Sequence, residues 1–128
     1  MPRPPPFQPA PGQTLEDFLT HGSDPWLGAS GIVDLVDILE VEVDGVALRN
    51  LFAYRATSKL FTFTGDTSLQ SFDSCITGTP QYGVSDGYWI MLPPLSKGQH
   101  TIYFHGGISI WGFESEVTYR LTVEPRKP

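Results

Sequence analysis

The chain has 128 residues, 40% of them apolar, with 8 basic against 14 acidic side chains and a formal net charge of −6. That length allows one core burying roughly two-thirds of the unfolded surface, and the charge argues against a nucleic-acid backbone binder, because the basic residues are scattered and form no patch. No apolar run approaches the ~20 residues that span a bilayer, and the lone Cys75 makes neither an internal disulfide nor a Cys-rich zinc site.

Prolines at 2, 4, 5, 6, 9 and 11 remove backbone donors and favour polyproline II, so residues 1–12 read as an arm or tail ahead of a single domain over 13–128. The opening Met1-Pro2-Arg3-Pro4-Pro5-Pro6 lacks the apolar core of a signal peptide. An intracellular chain, or one that has shed an export segment, is expected. Thr14-Leu15-Glu16-Asp17 resembles a capped helix start, with Leu15, Phe18 and Leu19 on one face and His21-Gly22 at its end. Trp26-Leu27 is placed as a plug at one end of the core.

From Ile32 to Leu39 apolar residues recur at helical spacing. From Leu39 to Val43 they alternate with Glu40, Glu42 and Asp44, which predicts a short helix passing into a strand with an acidic solvent face. Asp44-Gly45 is a hairpin turn signal. Tyr54–Ala56 and Lys59–Thr64 read as strands, and 65–83 as a long loop without period. Val84–Gly107 predicts a central hairpin. Tyr88, Ile90 and Leu92 share one face of its first arm, Trp89 and Met91 the other. Pro93-Pro94 ends that arm, and Gln99–His105 returns until Gly106-Gly107 breaks it. Ile108–Trp111 reads as a short strand. Val117, Tyr119, Leu121 and Val123 form the inward face of the last one. Short strands separated by turn residues predict an all-β chain, an antiparallel, jelly-roll-like β-sandwich with one or two short N-terminal helices.

No catalytic motif stands out: Gly107–Gly112 has the wrong spacing for a nucleophile elbow, and there is no P-loop or His-Glu-x-x-His. His100 and His105 fall on opposite faces of one strand, and His105, expected at the strand end beside two glycines, is the better candidate. Tyr82, Tyr88, Trp89, Trp111 and Phe113 gather near the loop end in sequence. Core packing suits Tyr88 and Trp89, whereas Trp111 suits the surface, where an aromatic platform stacks on sugar rings or apolar ligands. Asp66, Asp73 and Asp86 are too dispersed for a Ca²⁺ loop, so no metal is expected, and Asp86 is expected to bind backbone amides at its strand start. Cys75 is expected to be a small buried hydrophobe.

Val43–Val46, Ser85-Asp86-Gly87-Tyr88-Trp89-Ile90-Met91-Leu92, the stretch from Pro94 to Ile102 and Val117–Val123 together resemble a group of small, mostly uncharacterised exported bacterial proteins. The likeness covers roughly residues 40–124. It implies a β-sandwich and an extracellular or periplasmic origin, and transfers no activity.

These readings lead to a non-catalytic module that binds a glycan or small apolar ligand through Trp111, Phe113, Tyr82 and His105. The alternative is a small isomerase, cyclase or hydrolase with an apolar pocket and Asp86, His105, Tyr103 and Tyr88 as its polar groups. Neither implies a cofactor, and both leave room for a homo-oligomer. A purely structural role is the third class.

Overall fold

The computed structural model describes residues 8–125; of the predicted proline-rich arm, 1–7 lie outside the described residues. In chain order the elements are helices α1 (Leu15–His21) and α2 (Gly28–Val33), then strands β1 (Ile38–Val43), β2 (Val46–Ala47), β3 (Arg55–Thr57), β4 (Phe61–Thr64), β5 (Pro80–Gly83), β6 (Asp86–Tyr88), β7 (Gly98–Ile108) and β8 (Phe113–Val123). Strands in antiparallel sheets dominate, as the alternating patterns predict, and two short helices precede them. No described helix is long and apolar enough to cross a membrane. The chain divides into two compact units, one holding the sequence up to Asp34 with Thr57–Gly87, the other Leu35–Ala56 with Tyr88 onward.

In the first unit, α1 forms as its sequence dictates. The Thr14 hydroxyl accepts the Asp17 N–H at 3.1 Å, and Glu16 and Asp17 sit in the positively polarised first turn. Phe18, 1% exposed, is the one large side chain fully buried among the described residues. Gly22 stops the helix at φ 72°, and a Cβ there would collide with the carbonyl of Trp26, so the chain folds back only because the position is glycine. The second helix starts earlier than apolar spacing predicts, over Gly28-Ala29-Ser30-Gly31. Close approach explains it: a Cβ on Gly28 would lie 2.7 Å from the Thr20 carbonyl, so small residues rather than an apolar stripe let α2 sit against α1. Strands β4 and β5 pair from Phe61↔Gly83 to Thr64↔Pro80, which takes Pro80–Gly83 out of the predicted loop. The remaining loop holds a 3-10 turn, Thr67–Ser71, capped by Asp66 accepting the Ser68 N–H at 2.8 Å. Cys75 is exposed rather than buried, since this loop offers it no apolar cover.

The second unit is a four-stranded sheet in the order β2-β1-β7-β8. The predicted central hairpin does not form. Beyond Tyr88 the residues to Lys97 are irregular, and β7 takes β8 along one edge and, from Ile102 to Gly107, β1 along the other, so the edge expected for Trp89–Leu92 is largely occupied. Pro93 and Pro94, which have no N–H to give, suit a segment outside the ladder. Nor do Gly106 and Gly107 break β7. A Cβ on Gly107 would sit 2.6 Å from the Phe113 carbonyl, so glycine here permits close backbone pairing, and the strand runs on to Ile108. Ser109–Trp111 is therefore a 3-10 turn joining β7 to β8, not a strand. The Asp44-Gly45 turn forms as predicted, with both residues at positive φ, 52° and 79°. The remaining pair, β3 with β6, lies where the chain crosses from one unit to the other.

Removing the deepest side chain tests this account of the first unit. Phe18→Ala is expected to lower unfolding stability by about 3–5 kcal/mol in urea titration. A loss below about 1 kcal/mol, the size typical of an ordinary point substitution, would contradict it.

Candidate functional site

In the first unit α1, α2, the Ser23–Trp26 turn and the β4–β5 ribbon enclose an open groove of about 360 Å³, walled by Leu19, Trp26, Ala29, Ile32, Phe61 and Phe63 among others. Alternation puts Phe61 and Phe63 on the same face of β4, their rings 6.1 Å apart and tilted by 52°. Gly83 stands opposite Phe61, and a Cβ there would press on both rings at 3.1–3.2 Å, so its absence leaves them room. Trp26 is held by its own N–H donating to the Ser23 carbonyl at 2.6 Å. These rings are only partly covered: Trp26 is 36% exposed, and Phe61 and Phe63 are each 42%. Tyr82 borders the same groove, but it pairs with Thr62, so the register assigns its side chain to the other face of the ribbon. Sequence reasoning missed Trp26, Phe61 and Phe63 as a set. The Phe-Thr-Phe alternation marked a strand, and nothing local linked it to Trp26.

Asp86 opens β6, and its Oδ2 accepts the Ser30 hydroxyl at 2.6 Å and the Thr57 hydroxyl at 2.9 Å. Backbone amides were the expected donors; the two hydroxyls come from α2 and β3, segments far away in sequence. Ser30 is buried, so this bond satisfies a polar group that water barely reaches. Its arrangement is that of a structural tie. Asp66 and Asp73 are likewise occupied locally, accepting the Ser68 and Cys75 N–H groups at 2.8 Å each. The Ser68 amide holds the Asp66 carboxyl below its ordinary range. Among the described residues no three His, Cys, Asp or Glu side chains converge as a metal set.

The second unit holds a cavity of about 320 Å³. Leu39, Val41, Ile102 and Phe104 come from one face of the sheet. Leu51 lines it from the 3-10 turn Leu51–Tyr54, Tyr88 from the end of β6, and Ile90 and Leu92 from the irregular segment beyond, with Glu40, His105 and Gly106 completing the wall; the Phe52 and Tyr88 rings meet edge-on at 5.6 Å. The predicted alternation of Tyr88, Ile90 and Leu92 thus survives without a strand. Trp89 and Met91 point away, Met91 at 95% exposure, so Trp89 is not a core residue.

His105 and Tyr103 lie on the opposite sheet face. His105 is in mid-strand, not at a strand end, with Nδ1 3.6 Å from Glu40 Oε1 and Nε2 3.4 Å from Glu114 Oε1. The Tyr103 hydroxyl donates to Glu116 Oε2 at 2.7 Å, and this bond, with desolvation and the neighbouring acids, pushes the phenol up to about 12. Of the acid–base candidates, Tyr88 and His105 both border the cavity, although the register turns the His105 side chain toward Glu40 on the other sheet face, and Tyr103 is not in the wall. Trp111 and Phe113 are exposed around the β7–β8 turn, which is pinned by the Ser109 N–H donating to Asp37 Oδ1 at 2.9 Å. Neither belongs to the wall of the cavity or the groove.

A close ionic arrangement in the second unit involves two residues that the sequence did not join. Asp44 Oδ1 accepts the Thr101 N–H at 2.8 Å, Asp44 Oδ2 lies 2.7 Å from His100 Nδ1, and His100 Nε2 lies 2.6 Å from the Ser96 carbonyl. Carboxylate and carbonyl oxygens only accept, so this geometry favours the imidazolium, in which both ring nitrogens donate. Accordingly the Asp44 bond, then the Ser96 carbonyl, raises the His100 pKa, while the His100 bond, then the Thr101 amide, lowers that of Asp44. A raised folded pKa gives stability that is present at low pH and lost as pH rises through it. A lowered carboxyl pKa gives stability lost only as pH falls through it. The clamp is expected to stabilise most between about pH 4 and pH 6.5. Thermal midpoints of wild type and His100→Gln should differ most there and converge above the imidazole range. A difference that grows with pH would refute the clamp.

Protein-family models, curated proteins and solved structures alike give no match to the chain, so what the protein does is argued from its geometry.

Proposed function

We propose that the protein is a non-catalytic binding module whose site is the aromatic groove of its first unit. The observation that carries this is the exposure of Trp26, Phe61 and Phe63 together in a concave wall, where a soluble chain ordinarily covers its rings. Few polar groups line that wall, which suits a small apolar or aromatic ligand, or the apolar face of a sugar ring, better than a highly hydroxylated one. The apolar wall is small, so after ordering costs a weak affinity, in the millimolar range, is expected. The jelly-roll-like sandwich arrangement and an extracellular or periplasmic setting belong to the same proposal. They rest on the resemblance carried by Ser85–Leu92 and Pro94–Ile102.

The alternative, a small isomerase, cyclase or hydrolase, draws support from the second unit's cavity, which exceeds the ~300 Å³ of small ligand pockets and has Tyr88 in its wall. Against it stand the outward placement of His105 and Tyr103. A phenol held near 12 is also a poor proton donor around neutrality.

Calorimetric titration with a panel of monosaccharides, short glycans and aromatic or aliphatic small molecules tests the module. At least one ligand is expected to bind, about tenfold more weakly to Phe63→Ala or Trp26→Ala, and unchanged to Trp111→Ala. Failure of the whole panel would remove the binding reading. Binding abolished by Trp111→Ala alone would move the site to the β7–β8 turn.

A further inference from the structure

The outer edge of β8 is the least protected feature of the second unit. Strand β8 holds β7 through an unbroken register of eleven pairs, Gly98↔Val123 to Ile108↔Phe113, and among the described residues no strand pairs with its other edge. Chains normally blunt such an edge with proline, a bulge, an edge lysine or a short strand. Phe113–Val123 has no proline, glycine, lysine or bulge, and is among the two longest strands of the chain.

We propose that this edge pairs with the β8 edge of a second copy of the chain, antiparallel about a two-fold axis through Thr118. The sequence of the strand selects the partner and the register. Antiparallel neighbours share a face only if residues of the same parity stand opposite one another, since a slip by one residue would set the polar row against the apolar row. Centring on Thr118 overlaps the strand along its whole length. It places Arg120 opposite Glu116 of the second copy, twice by symmetry, and Glu114 opposite Thr122. Moving the centre to Tyr119 would lose the charge pairing, and moving it to Val117 would leave the C-terminal two residues unpaired. Arg120 has no ion pair among the described residues of its own chain, so its charge is available to a partner.

The opposite face gives an independent reason. Phe113, Tyr119 and Leu121 are all exposed there, and Tyr119 continues the apolar surface of Phe104 at a ring separation of 5.6 Å. In the Thr118-centred register Tyr119 meets Val117 of the second copy and Phe113 meets Val123. The two exposed apolar strips thereby join, and the four-stranded sheet becomes continuous with its copy. An interface built mainly from one strand edge lies at the small end of specific interfaces, below about 1,200 Å², so a concentration-dependent dimer is expected rather than an obligate one.

Sedimentation equilibrium of the full chain over a range of concentrations, with site-specific cross-linking, tests the pairing. Wild type should show a reversible monomer–dimer equilibrium. Thr118→Glu, which sets like charges against each other on the axis, should weaken it by about tenfold or more while leaving the circular dichroism unchanged. Directly opposed antiparallel Cα atoms lie about 4.5–5.5 Å apart, within disulfide reach. In a Cys75→Ser background, Thr118→Cys should therefore oxidise to a covalent dimer, whereas Thr122→Cys should not. A chain that stays monomeric throughout, a dimer indifferent to Thr118→Glu, or equal cross-linking at 118 and 122 would each overturn the proposal.

Discussion

The second unit depends on one strand being paired on both sides. Strand β7 pairs with β8 along its whole length, Gly98 to Ile108, and with β1 from Ile102 to Gly107, and much of the unit is placed by that commitment. Over Ile102–Gly107 two-sided pairing closes β7 to any further strand. It leaves Trp89–Leu92 outside the ladder, and it sends His100, Ile102 and Phe104 to one face and Thr101, Tyr103 and His105 to the other. Gly107 belongs to this logic. Without a side chain it lets β7 and β8 approach where a Cβ would strike the Phe113 carbonyl. The cavity on one face and the acidic surface on the other are two consequences of the same alternation.

In the first unit the corresponding constraint is close approach of small residues. Gly22 and Gly28 let α1, the Trp26 turn and α2 fold onto one another with Phe18 inside. Because the two helices are short and the β4–β5 ribbon is only four residues long, this unit has little surface with which to cover its rings. Phe61, Phe63 and Trp26 therefore remain half open beside a groove.

The acidic residues tell a consistent story as well. Asp37, Asp44, Asp66 and Asp73 each accept a backbone N–H at a turn or strand end, and Asp86 accepts two hydroxyls. A short carboxylate beside a bend satisfies amides that the ladder cannot. Much of the chain's negative charge is thus spent on holding the backbone. Asp44 goes furthest, tying the β1–β2 turn to Thr101 and to the His100 imidazolium.

Patterns that depend on neighbours in sequence were legible from the residues alone. Thr14 with Glu16 and Asp17 specifies the α1 cap, Asp44-Gly45 specifies a turn with two positive φ values, and strict alternation specifies β1, the two faces of β7 and the strand nature of β8. The alternation that placed Tyr88, Ile90 and Leu92 on one face holds, and the structure turns that face to the cavity, although beyond Tyr88 the strand it implied does not form. Only tertiary structure decided which strands pair. A hairpin between 88–92 and 99–105 and the observed β1-β7-β8 order satisfy the same alternation, and the choice lies in long-range backbone hydrogen bonds that local pattern does not encode. For the same reason the groove was invisible in the sequence. Trp26, Phe61 and Phe63 carry no shared motif, and they come together because glycines elsewhere allow the backbone to approach closely.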